Sequence, residues 1–106
     1  MAEITLNRKT FVATLDAIQR QSPLSTPMLV IESASEPGRW ILTAERVDNQ
    51  ITRAFGPCEG SGEEFKESFN VIDLAEEISD KIPENVQSIT LVMNNGVRLK
   101  TELRIR

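Results

Sequence analysis

The sequence predicts an α+β domain: two repeated strand-helix-strands units, with two helices packed on antiparallel sheet. Three observations carry that reading. "LNRKTF" (residues 6–11) and "FNVIDL" (residues 69–74) share one grammar, apolar, Asn, two variable positions, Thr or Asp, apolar, and their asparagines stand 63 residues apart. Each is followed by apolar residues at helical spacing, Phe11, Leu15 and Ile18, then Leu74, Ile78 and Ile82. Both helical patterns then give way to strand-like segments joined by turn residues.

Taken in order, Asn7 reads as the N-cap of a helix near residues 8–20, with Leu6 and Phe11 at the two positions of a hydrophobic staple. "MLVIESA", "RWILTAE" and "QITRAF" follow as strands, and "SEPGR" supplies Pro and Gly to turn the first into the second. "GPCEGSGEE" (residues 56–64) reads as a mobile surface loop between units at roughly 1–56 and 65–106 of a single domain, 1–106. Asn70 then repeats the cap, Phe69 with Leu74 repeats the staple, and Asp73 places a carboxylate in the first turn of a helix over residues 71–81. "VQSITLVM" and "VRLKTELRI" form the last hairpin around "NNG", whose Asn and Gly accept positive φ. Alternation along the final strand sends Val97, Leu99, Thr101, Leu103 and Ile105 one way and Arg98, Lys100, Glu102, Arg104 and Arg106 the other.

Composition narrows the function. A chain of 106 residues, 40% hydrophobic and 26% charged, has the make-up of one soluble domain, with no apolar run suited to export or membrane insertion, so a cytoplasmic protein without a membrane partner is expected. There is no His and no Tyr, the single cysteine Cys58 has no base or second thiol near it in sequence, and no phosphate-binding glycine loop follows a strand. An enzyme is therefore not expected, nor a cofactor, a metal or a small-molecule substrate. Asp73, Glu76, Glu77 and Asp80 lie on a regular helix rather than a ligand-gathering loop, and read as a solvated face. Twelve basic against 16 acidic residues give a net charge of −4, the opposite of the balance usual in a small nucleic-acid-binding domain.

The repeated units, together with "STPMLVIESA", "WILTAERVDNQI" and "FNVIDLAEEISDKIPENVQSITLVMNNGVRLK", resemble one domain of the bacterial DNA polymerase III beta sliding clamp. The resemblance implies a DNA-clamp-like fold with two helices on the inner wall of a ring and sheets outside. It also implies a non-catalytic accessory of DNA replication or repair, acting as an assembly or processivity scaffold. The DNA-facing candidates that it implies are Arg8, Lys9 and Arg20 on the first helix and Lys81 on the second.

Two departures shape the expectation. Clamp subunits carry three such domains in tandem, so a ring built from this unit alone needs about six copies. The second helix is acidic, Asp73, Glu76, Glu77, Asp80 and Lys81 summing to −3, which repels phosphates. The alternative is a stand-alone protein-interaction module that keeps the fold and does not bind DNA. Duplex DNA is expected to bind weakly, and replication or repair proteins are the expected partners, with the basic stripe of Arg98, Lys100, Arg104 and Arg106 as the candidate partner-binding surface. Self-association is expected too, through "MLVIESA" or "VRLKTELRI" wherever one of them forms a sheet edge.

Overall fold

The computed structural model describes residues 2–21, 23–60 and 62–100. In chain order the elements are β1 (Ala2–Asn7), α1 (Arg8–Gln21), β2 (Met28–Ser33), β3 (Arg39–Glu45), β4 (Ile51–Pro57), β5 (Glu59–Gly60), β6 (Lys66–Asn70), α2 (Val71–Lys81), β7 (Ser88–Met93) and β8 (Val97–Leu99). The strands form two four-stranded antiparallel sheets, ordered β5-β1-β7-β8 and β4-β3-β2-β6. The first strand of each half is thus exchanged: β1 pairs with β7 of the second half, and β6 pairs with β2 of the first.

Both helices start where the sequence says. The Asn7 side chain accepts from the Thr10 N–H at 2.9 Å, and the Asn70 side chain accepts from the Ile72 and Asp73 N–H groups at 3.0 and 3.1 Å. Leu6, Phe11, Phe69 and Leu74, the staple residues, are all buried. Asn70→Ala, which removes a cap to two donors, is expected to cost about 1 kcal/mol in urea denaturation. An unchanged midpoint would show that α2 is held by packing alone.

The helices lie side by side and run in opposite directions: the Arg8 N–H donates to the Gln87 carbonyl and its guanidinium to the Pro83 carbonyl, so α1 begins beside the end of α2. α1 touches β1 and β4 while α2 touches β6 and β8, so each helix spans both sheets. One continuous core results, including Phe11, Leu15, Ile18, Leu74 and Ile78 from the helices and Leu29, Ile31, Trp40, Leu42, Ile89 and Leu91 from the strands. Phe11 meets Trp40 edge to face, with ring centroids 5.7 Å apart. The turns use the expected residues: Gly38 at φ 82°, Asn95 at 55° and Gly96 at 136°.

Two expectations need correction. Residues 56–64 are not simply a surface loop, since Gly56 and Pro57 end β4, and Glu59–Gly60 form a strand on the edge of β1, with Ile4 opposite Gly60 and Thr5 opposite Glu59. Glycine permits that pairing, because a Cβ on Gly60 would lie 2.6 Å from the Glu3 carbonyl oxygen. The segment "MLVIESA" is not an edge either: β2 sits between β3 and β6. Among the described residues the edges are β4, β5, β6 and β8. Val97 packs on the core and Leu99 is buried while Arg98 and Lys100 are exposed, as the alternation requires; residues 101–106 lie outside the described residues.

Candidate functional site

The helix pair presents a mixed surface. α1 exposes Lys9, Thr10, Ala13, Asp16, Ala17 and Arg20, and α2 exposes Ile72, Asp73, Glu76, Ser79 and Asp80. Three of the four candidate DNA-facing cations already have a partner. Arg8 donates to the Pro83 carbonyl at 2.7 Å, Arg20 meets Asp16 at 3.4 Å, and Lys81 meets Glu77 at 3.4 Å. Both ion pairs are one helical turn apart and largely exposed, so each is weak and readily exchanged for another anion. Lys9 makes no ion pair among the described residues. With Asp16, the α1 cations leave +2 on that helix against −3 on α2. Phosphates approaching this face would meet attraction along one helix and repulsion along the other.

Between the start of α1 and the end of α2 a groove of about 740 Å³ opens, lined by the apolar Val12, Ala13, Ala75 and Ile78 and by the charged Arg8, Lys9, Asp16 and Glu84. That lining carries both signs of charge and selects no ligand class.

The basic stripe divides. Arg98 is exposed in register with Val92, itself beside Glu3, whereas Lys100 is engaged with the Glu3 carboxylate at 2.9 Å. Arg104 and Arg106 lie outside the described residues. Burial pushes the Cys58 thiol up, away from the thiolate that nucleophilic chemistry needs. Among the described residues no group of three or more His, Cys, Asp or Glu is placed to hold a metal ion. No helix among them is long and apolar enough to cross a membrane.

Two features were not anticipated. Arg46, only 3% exposed, sends its Nε–H to the Thr52 hydroxyl at 2.6 Å and a guanidinium N–H to the Ile18 carbonyl at 3.2 Å, in the last turn of α1. On β4 the larger apolar side chains point outward: Ile51 is 60% and Phe55 61% exposed, flanking an exposed Arg53, while Ala54 and Gly56 face the core. The signal is the inverted alternation of "ITRAFG", with small residues on the inward parity. Its cause lies on β3, where the Trp40 ring fills the space that a side chain at position 56 would need.

No protein-family model and no curated protein sequence match the chain. Solved structures do. DNA polymerase III subunit beta from Pseudomonas aeruginosa superposes with a TM-score of 0.73 at 10% identity, over 90% of this chain and 25% of that one. Caulobacter crescentus pol III beta gives 0.72 at 18% identity, covering 88% and 24%. The beta subunit from Thermotoga maritima gives 0.72 at 13%, covering 87% and 24%. The chain spans about a quarter of the length of these proteins, and at such identity the likeness is one of fold: two helices and two four-stranded antiparallel sheets in the arrangement of a single sliding-clamp domain.

Proposed function

We propose that the chain acts as a sliding-clamp-like, non-catalytic scaffold in DNA replication or repair, holding partner proteins near DNA rather than performing chemistry. The observation that supports this reading most is the match of nearly the whole chain to one clamp domain, helices side by side on one face. In this reading the helix face is turned toward duplex DNA, with Lys9 the readiest phosphate contact and Arg8, Arg20 and Lys81 contributing as their present partners are exchanged. The surface around Arg98 and Lys100 receives protein partners. A second reading, a stand-alone interaction module that does not bind DNA, is favoured by one specific observation: three of the four helix cations are already engaged.

Fluorescence anisotropy on linear duplex DNA separates the two. The protein is expected to bind with a Kd in or above the ~10⁻⁴ to 10⁻⁶ M range of nonspecific contact at physiological salt, weakening as salt rises. Exchanging Glu76, Glu77 and Asp80 together for Lys should tighten binding and steepen the salt dependence, because each new phosphate contact adds about −0.9 to the log–log slope. Unchanged affinity in that variant would show that the helices do not meet DNA, and the module reading would take its place.

A further inference from the structure

We propose that Asn95 is a modification site at which the chain alters itself: the Gly96 backbone nitrogen attacks the Asn95 side-chain amide, and the asparagine becomes aspartate and isoaspartate. The reaction needs only water, and it does not depend on the scaffold reading.

Three conditions must meet before an asparagine reacts in this way. Its amide must be open to water, the next backbone nitrogen must be free of an acceptor, and the next residue must not crowd the ring that closes. Asn95 meets all three. It is exposed at the tip of the β7–β8 hairpin with φ at 55°, and Gly96 follows it at φ 136°. Among the described residues the Gly96 N–H donates to no acceptor, and the Asn95 side chain makes no hydrogen bond. The Asn94 N–H closes the tip instead, donating to the Gly96 carbonyl at 3.0 Å. A Cβ placed on Gly96 would meet nothing within 4 Å, so the backbone there lies in open space.

The other asparagines each lack a condition. Asn7 and Asn70 hold their side-chain oxygens on helix N–H groups. Asn49 is the nearest comparison, exposed and at φ 64°, yet the Gln50 N–H after it is engaged by the Asp48 carboxylate at 3.2 Å. Asn85 and Asn94 are followed by Val86 and Asn95, whose side chains crowd the attacking nitrogen as glycine's hydrogen does not.

The chemistry balances without any other reactant. Hydroxide takes the Gly96 N–H proton, the nitrogen bonds to Asn95 Cγ, and the Cγ–Nδ2 bond breaks as Nδ2 leaves with a proton as ammonia. A five-membered succinimide remains. Water opens it at Cγ to give aspartate on a normal backbone, or at the main-chain carbonyl carbon to give isoaspartate, with the chain running through the former side chain. One amide and one water thus become a carboxylate and an ammonium ion, with no change of oxidation state. Either product adds one negative charge to a net of −4, on the hairpin that carries the exposed Arg98. Isoaspartate also lengthens the backbone by a methylene, which works against the Met93–Val97 pairing and the buried seat of Leu99.

Peptide mass mapping of the full chain, incubated folded at mildly alkaline pH and compared with an unincubated sample, tests the site. Trypsin releases residues 82–98 as one peptide, which holds Asn85, Asn94 and Asn95 together. The amide-to-acid mass increment is expected on Asn95 alone, split between aspartate and isoaspartate, at a rate that rises with hydroxide and is comparable with that of the excised peptide. Asn95→Asp, which tolerates the positive φ, should show no increment in this peptide. An increment shared evenly by the three asparagines, or one that persists in Asn95→Asp, would overturn the site. Aspartate without isoaspartate would mean direct hydrolysis rather than attack by Gly96. An increment confined to the free peptide would show that the folded turn holds the Gly96 nitrogen away from Asn95, and would overturn the proposal as well.

Discussion

Gly56→Ala is expected to destabilise the protein by about 3 kcal/mol, the upper end of ordinary overpacking costs. A Cβ at this position would lie 2.2 Å from Trp40 Cζ2 and 2.5 Å from Cε2, far inside van der Waals contact. The indole cannot move aside without loss. It is 1% exposed, meets Phe11 edge to face, and donates its N–H to the Pro57 carbonyl. In a domain of this size the melting temperature should fall by about 15 °C, and the urea midpoint should move with an unchanged slope. A change below about 0.5 kcal/mol, the range of ordinary surface substitutions, would mean that the Trp40 site is not filled as described.

Arg46→Ala is expected to be at least as damaging, at about 3 to 4 kcal/mol. Hydrogen bonds to charged groups contribute roughly 1.5 to 3 kcal/mol, and here the Ile18 carbonyl and the Thr52 hydroxyl both lose a donor inside the protein. The cation also sits at the C-terminal end of α1, where it complements the helix dipole. Arg46→Met keeps the apolar stem but neither donor, and should recover only part of the loss in the same denaturation series. Recovery to wild-type stability would assign the effect to packing rather than to the guanidinium.

What the sequence disclosed and what it hid divide along a physical line. The caps at Asn7 and Asn70, the staples behind them and the Asn95-Gly96 turn act over a few residues, so local chemistry announces them. The repeat of strand, helix and strands follows from the same signals occurring twice. Gly56 is different, because the reason for it stands on another strand at Trp40, and an alternation rule applied to "ITRAFG" alone would bury Ile51 and Phe55. Arg46 was hidden for a similar reason: a charged residue at a strand end reads as surface until α1 is laid over it. At the candidate interface, the cations Arg8, Arg20 and Lys81 could be listed from sequence. That each is engaged depends in part on the chain returning past Pro83, which no local pattern shows.

The exchange of first strands between the two halves also sets an order of events in folding. The sheet containing β2, β3, β4 and β6 holds all its pairings within residues 28–70, and its hairpins close over short loops. β1 is made first yet finds its long partner last, since Ala2 pairs with Met93 and Asn7 with Ser88. Closing so long a loop carries a large entropic cost before any contact rewards it, which slows folding relative to a domain of local contacts. During synthesis β1 must wait, its apolar Ile4 and Leu6 uncovered by β7, until the second half of the chain has emerged. The two halves are thus joined in time as well as in space, and neither can finish its sheet without a strand from the other.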